Sequence, residues 1–274
     1  MRQSDWAPVG VDIERPSAAR AYDFLLGGSH NFAADREAAR QAIAIMPDVI
    51  MQAKANRAFL RRAVRFLVGA GVRQFLDLGS GIPTVGNVHE IAQREASDTT
   101  VVYVDRDPVA VAHSRQLLAD NPTVTAVRAD FRDPGALLRS WEVLDLLDLA
   151  APVAILMVGV LHYVPDADDP HAVVSRFRDA VVPGSYLAIS HPTHEGRPEW
   201  VRLAEASRNS PSPVVPRLRT EIAEFFQGFD LVDPGLVWAP SWRGDGKVDG
   251  DQHPERSSLL AGVALRGSTA VALC

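Results

Sequence analysis

A chain of 274 residues with 47% apolar content is long enough for one α/β domain with decorations. Its net charge of −6 argues against a broad phosphate-binding face, and so against a nucleic-acid substrate. The only cysteine, Cys274, cannot close an internal disulfide, MRQSDWAPVGVDIERP has no apolar signal core, and the longest apolar run (153–160) is too short for a bilayer; together these predict a cytoplasmic protein with no membrane association.

Residues 1–16 are irregular, with Pro8 and Pro16. From Ser17 the segment ARAYDFLLGG predicts a helix that stops at Gly27 and Gly28. ADREAARQAIAIMP predicts a second, ended by Pro47. A third is expected over 48–68, with Ala55, Phe59, Ala63, Phe66 and Leu67 on one stripe. Strands are then expected at 74–78, 100–104, 124–129, 152–158 and 185–190. The helices between them fall at 85–95, 108–120, 134–147 and 170–181. Such alternation makes a parallel sheet covered on both faces. A Pro- and Ser-rich stretch (209–216) and a helix at 220–226 follow. Two runs, 231–238 and 258–265, have no helix between them and are expected to pair antiparallel at the sheet edge. The sum is a doubly wound α/β fold with seven strands.

The chemistry is concentrated at the strand ends. FLDLGSGIPTVGNVHE places Asp77, Gly79, Ser80 and Gly81 where the first strand turns into a helix; the two glycines let backbone press against a bulky ligand. Asp105 closes the second strand, where a carboxylate accepts from ribose hydroxyls. A dinucleotide fingerprint needs its third glycine three residues after the second. Here Gly86 comes five after Gly81, with Pro83 and Thr84 between, and the looser spacing favours S-adenosyl-L-methionine, which has no phosphate to cradle. Asp77 has two readings: facing the loop amides or a ligand amino group, or capping a helix. Arg106 lies beside the ribose position, and Asp107 before Pro108 is a helix cap. Asp130 is placed to accept from an adenine amine and Phe131 either to stack on the ring or to sit in the core; Asp133 before Pro134 is a cap.

His162 follows the fourth strand and His191 ends the fifth. Each is a candidate general base for an oxygen or nitrogen nucleophile, His162 first, although a histidine there can equally shape the pocket through backbone hydrogen bonds. With His194, Asp166, Asp168 and Asp169 nearby a metal is conceivable, but Asp168 and Asp169 precede Pro170 as helix-start residues, so no metal is assigned. No Asn/Asp-Pro-Pro-aromatic motif follows the fourth strand and no pocket cysteine exists, which argues against nucleobase methylation.

The blocks RPSAARAYDFLLGGSHNFAADREAA, ANRAFLRRAV, QFLDLGSGIPTVGNVHE, VVYVDRDPVAVAHS, ADFRDP, LHYVPD and PGSYLAISH resemble an actinomycete family of class I S-adenosylmethionine-dependent methyltransferases, formerly a domain of unknown function. The resemblance covers about residues 12–240. It implies a Rossmann-like seven-stranded methyltransferase sheet with an N-terminal helical cap. The cap spans 1–70 and the methyltransferase domain 71–274, as one compact unit. It also implies S-adenosyl-L-methionine as cofactor, held by Gly79, Ser80, Gly81 and Thr84, by Asp105, and by Asp130 and Phe131, with Tyr22, Gly27, Gly28 and Asn31 folding over it as a lid. Two departures stand out. Gly-Gly-Ser-His-Asn lacks the lysine usual after the glycines, and the tail after Trp242 carries a divergent GDGKVDGDQ insertion. The expected activity is methyl transfer to oxygen or nitrogen of a small-molecule acceptor. The alternatives are a non-catalytic S-adenosylmethionine-binding regulator and an NAD-dependent oxidoreductase, the latter opposed by the glycine spacing and a missing Tyr-x-x-x-Lys dyad. A homodimer is left open.

Overall fold

The computed structural model describes residues 11–83, 86–244 and 253–267. Three helices come first. α1 (Ala18–Leu25) stops where Gly27 takes a φ of +83°, and the amides of Leu26, Gly27 and Gly28 turn back onto the carbonyls of the last turn. α2 (Ala33–Ile45) begins over Asp35, whose carboxylate accepts from the Phe32 amide and from the Ser17 amide, both at 2.8 Å. One carboxylate therefore ties the starts of two helices together. α3 (Val49–Gly69) carries the expected stripe: Ala55, Phe59, Ala63 and Leu67 are sealed from solvent and Phe66 packs at its margin.

The alternating part follows in the expected order: β1 (Gln74–Leu78), α4 (Val88–Glu95), β2 (Thr100–Asp105), α5 (Pro108–Leu117), β3 (Val124–Arg128), α6 (Pro134–Leu138), α7 (Trp141–Leu146), β4 (Val153–Val158), α8 (Pro170–Ala180) and β5 (Tyr186–Pro192). α9 (Glu199–Ser207), α10 (Arg219–Glu224), β6 (Asp230–Leu231), β7 (Val237–Trp238) and β8 (Leu259–Leu265) complete it. The sheet order is β3-β2-β1-β4-β5-β8-β6, with β7 also on β8. β1 to β5 are parallel, and β8 runs antiparallel to β5.

Three differences from expectation have simple causes. The strand expected over 231–238 is two short pieces, β6 and β7, which share the edge of β8 on either side of a turn containing Pro234; proline has no N–H for the ladder. Eight segments thus fill seven positions. The helix expected over 134–147 breaks at Ser140, whose hydroxyl donates to the Leu137 carbonyl at 2.7 Å. α9 lies in a stretch for which no element is expected from the sequence. Trp200 and Leu203, three apart on one helical face, bury against Met46 and Val49.

One sheet face (Phe75, Val101, Ala154) packs on α3 and α4, and the other (Leu76, Val102, Ile155) on α7 and α8. Strand order reverses at β1, with β2 on one side and β4 on the other, so the loops after β1 and β4 diverge and open a crevice beyond the carboxyl ends of the strands. Among the described residues, no helix is long and apolar enough to cross a membrane.

Candidate active site

The crevice floor is the loop after β1. Gly79 and Gly81 have φ of +72° and +68°, and the Gly79 and Ser80 amides both donate to the Val104 carbonyl at 2.8 and 3.1 Å. A Cβ on Gly79 would lie 2.2 Å from Val160 Cγ2, so only glycine permits this approach. Asp105 joins the two strand ends: its Oδ2 accepts from the Gly81 amide and its Oδ1 from the Asp107 amide, both at 2.8 Å. Burial pushes its carboxyl up to about 6, against those hydrogen bonds. Each oxygen keeps a lone pair for a ligand hydroxyl. Asp107 is the expected cap, accepting from Val109 at 2.7 Å and Ala110 at 3.3 Å. The buried Arg20 stands 3.2 Å from Asp35 and 3.7 Å from Asp107, latching the helical cap to the start of α5.

Asp77 lines the same groove and has no hydrogen-bond partner among the described residues. Burial pushes it up to about 7; the Arg57 charge works against this and the Asp105 charge with it. The capping alternative falls away. Glu90 serves the start of α4, accepting from the amides of Gly86 at 2.9 Å and Asn87 at 3.1 Å.

At the third strand the picture is more constrained than the sequence implied. Asp130 lines the groove, but Arg132 grips its carboxylate through Nε at 2.9 Å and Nη2 at 2.5 Å, which holds the carboxyl below its usual range. An adenine amine there competes with a guanidinium. Arg132 also reaches Asp168 at 2.5 Å, while Asp169 caps α8 through the Ala172 amide at 3.0 Å. Phe131 lines the groove and packs against the core. Arg106 donates to the Ser212 hydroxyl at 2.8 Å, pulling the Pro- and Ser-rich stretch over the crevice. Thr84 and most of the GDGKVDGDQ insertion lie outside the described residues.

The lid residues divide. Tyr22 lines the groove, its hydroxyl donating to the Ala53 carbonyl and accepting from Asn56, both at 3.0 Å. Gly28 and Asn31 do not line this groove and instead organise the turn. A Cβ on Gly28 would strike the Asp23 carboxylate at 2.0 Å, and Asn31 Nδ2 donates to that carboxylate at 2.8 Å. Their glycine and amide chemistry therefore serves the buried Asp23 rather than a ligand.

The histidines also divide. His162 is 9% exposed, its Nδ1 is enclosed without a partner, and burial with the Arg217 charge pushes it down to about 3. It lines a second cavity of about 260 Å³ beside the cofactor groove. His191 is fully buried and lines neither of these two cavities. Its Nδ1 lies 2.8 Å from the Pro192 carbonyl and its Nε2 3.1 Å from Arg217 Nη1, so both nitrogens are committed. As a second base it is ruled out by geometry; it holds Arg217. That arginine, 4% exposed, donates to the Leu161 carbonyl at 3.3 Å, the Val164 carbonyl at 2.9 Å and Asp166 at 2.6 Å, fixing the loop that carries His162.

Arg217 and two residues of α3 were not singled out from sequence. Asn56 accepts from the Ser190 hydroxyl at 2.5 Å and lies against Gly159, whose φ is +70°. Arg57 lines the groove and donates to the Gly86 carbonyl at 2.9 Å. A polar Asn-Arg pair in the middle of an otherwise buried helical stripe is the available signal. The two cavities meet along Tyr22, Asn56, Gly159, Tyr163 and Ser212.

Among solved structures, a candidate methyltransferase from Thermobifida fusca YX is similar at 42% identity and TM-score 0.92, over 97% of this chain and 100% of that one. A DUF574 family protein from Streptomyces avermitilis MA-4680 is similar at 39% identity and TM-score 0.89, over 93% of this chain and 99% of that one. An O-methyltransferase family protein from Burkholderia thailandensis shares the fold alone, at 15% identity and TM-score 0.50, over 80% of this chain and 60% of that one. No curated protein matches. The family described as S-adenosyl methyltransferase matches residues 4–267. The groove suits that cofactor: a buried carboxylate at Asp77 with no hydrogen bond among the described residues favours a cationic ligand, and Asp105 offers acceptors for hydroxyls. The chain belongs to the S-adenosyl methyltransferase family, with S-adenosyl-L-methionine as its cofactor.

Proposed function

We propose that this protein moves the methyl group of S-adenosyl-L-methionine to an oxygen or nitrogen of a small-molecule acceptor, in the cytoplasm. The observation that carries the reading is the junction of two cavities at Tyr22, Asn56, Gly159 and Tyr163, one ending on the glycine loop and the other on the unpaired His162. Bound S-adenosyl-L-methionine supplies an electrophilic methyl on a sulfonium. The chain's part is to place an acceptor in line with it and to exclude water.

In this reading Gly79, Ser80 and Gly81 let backbone touch the cofactor, Asp105 accepts from its ribose, and Asp77 balances its positive charge. Phe131 flanks its base, with Asp130 and Arg106 at that end. Residues 1–70 act as a lid fastened by the Arg20 latch to the domain formed by 71–274. His162 Nε2 accepts a hydrogen bond from the acceptor and orients its lone pair.

Calorimetry with S-adenosylhomocysteine, followed by incubation of the protein with methyl-labelled cofactor and a fractionated metabolite extract, tests this. Tight binding with label in a low-molecular-weight fraction is expected. Binding with no transfer to any fraction favours a non-catalytic regulator, and stabilisation by NAD but not S-adenosylhomocysteine overturns the reading.

A further inference from the structure

We infer that the acceptor is an uncharged, largely apolar ring compound with a phenol-type hydroxyl, seated in the larger cavity with that hydroxyl against His162. The inference rests on the methyl-transfer reading above and names its substrate class.

The cavity of about 260 Å³ has no Asp, Glu, Lys or Arg among the described residues that line it. Its walls are Leu25, Ala42, Ile45, Trp200, Leu203 and Leu259. A carboxylate or an ammonium entering there gives up hydration and finds no countercharge, whereas a flat apolar ring exchanges water for close packing. The same argument excludes aliphatic amines, which are protonated at neutral pH.

Tyr22, Asn56 and Tyr163 stand where the cavity meets the cofactor groove, while Gln41, Gln52, Ser207, Ser210 and Trp200 bring uncharged polar groups to the rest of the lining. Tyr22 and Asn56 are bonded to each other, and further to Ala53 and Ser190. At that end two groups remain. His162 has no side-chain hydrogen bond among the described residues, and the Tyr163 hydroxyl, its ring 4.0 Å from that imidazole, has none either. Burial pushes Tyr163 up to about 12, so it stays a donor. A neutral imidazole and a phenol donor lining one cavity match a single hydroxyl, which donates to one and accepts from the other.

In the transfer, an oxygen lone pair of the acceptor forms the O–C bond while the methyl C–S bond breaks and its electron pair stays on sulfur. The sulfonium becomes the thioether of S-adenosylhomocysteine. The hydroxyl proton passes to His162 Nε2 and on to water, leaving an aryl methyl ether. An oxygen that is being methylated is a far stronger acid than imidazolium, so an imidazole titrating at about 3 suffices and returns the proton at once.

Calorimetry on the S-adenosylhomocysteine complex is the test, with 2-naphthol, 2-naphthoate and 2-naphthylmethylammonium as probes. The naphthol is expected to bind at least tenfold more tightly than either ion. Equal or tighter binding of an ion, or no binding of the naphthol, overturns the inference. Ala42→Lys is expected to raise naphthoate affinity at least tenfold without changing S-adenosylhomocysteine affinity. Naphthol is also expected to outbind 2-methylnaphthalene in the parent protein and to lose that advantage in His162→Phe; an advantage that persists overturns the placement of the hydroxyl. Affinity for S-adenosylhomocysteine, measured first on every variant, separates the two levels: its absence in the parent protein strikes the methyl-transfer reading, and its presence with a preference for ions strikes only the acceptor class.

Discussion

Asn56 Nδ2 donates to the Tyr22 hydroxyl over 3.0 Å, and both side chains stand on the boundary between the cofactor groove and the acceptor cavity. The hydroxyl in turn donates to the Ala53 carbonyl at 3.0 Å. α1 is thus fastened to α3 at the point where the two cavities meet. Tyr22→Phe removes the hydroxyl and leaves a buried amide donor unpaired, a change that costs about 1–3 kcal/mol. A lower Tm and a severalfold weaker affinity for S-adenosylhomocysteine are expected, read by thermal denaturation and calorimetry.

The two loop glycines are expected to fail differently. Alanine at a positive φ costs about 1–2 kcal/mol at either position. At Gly79 the new Cβ also collides with Val160, while at Gly81 it meets open space within the groove. Gly79→Ala is expected to lower Tm well beyond Gly81→Ala, and Gly81→Ala to keep most of its stability while losing at least tenfold in cofactor affinity. Similar melting curves for the two variants would refute the steric argument.

Asp77 titrates at about 7 in the folded protein, against 3.8 for the unperturbed carboxyl. The folded acid ionises less readily, so it lowers stability as pH rises from about 4 to about 7, and the loss is constant above that. Asp77→Asn removes the effect. The ligand-free variant is expected to be more stable than the parent at pH 8, by at most roughly 4 kcal/mol at about 1.4 kcal/mol per pKa unit, and equal to it at pH 4. The parent's affinity for the cationic cofactor is expected to climb with pH to about 7 and then level off. The variant, with no carboxylate to offer, is expected to bind at least tenfold more weakly. Denaturation at both pH values and calorimetry across the range check these points.

His162 and His191 separate chemistry from structure. His162→Asn is expected to cut turnover by about 100-fold with little change in Tm. Because burial pushes His162 down to about 3, turnover by the parent protein is not expected to show an imidazole limb near pH 6.5. His191→Asn removes a ring bonded to both Pro192 and Arg217, and is expected to cost about 1–3 kcal/mol of stability. Turnover profiles and melting curves of the two variants provide the comparison.

Much of the fold was legible in the chain. Apolar runs of strand length, Gly27 after α1, and the Asp-Pro pairs before α5, α6 and α8 are local signals, and local signals set local structure. The edge was harder to read. Pro234 splits a strand that periodicity draws as one, and α9 owes its face to packing against Met46 and Val49, which lie about 150 residues earlier.

The glycine loop and the carboxylates at the strand ends followed from sequence alone, because backbone freedom and side-chain chemistry are properties of each residue. Which of those residues remains free to meet a ligand was decided by tertiary structure. Burial and partners come from distant segments: Arg132 occupies Asp130, Arg217 occupies His191, and Asp23 claims Gly28 and Asn31. Among the described residues, His162 and Asp77 are left without side-chain hydrogen bonds. The absence of Asp, Glu, Lys and Arg among the described residues lining the second cavity likewise exists only once α1, α2, α3 and α9 enclose it.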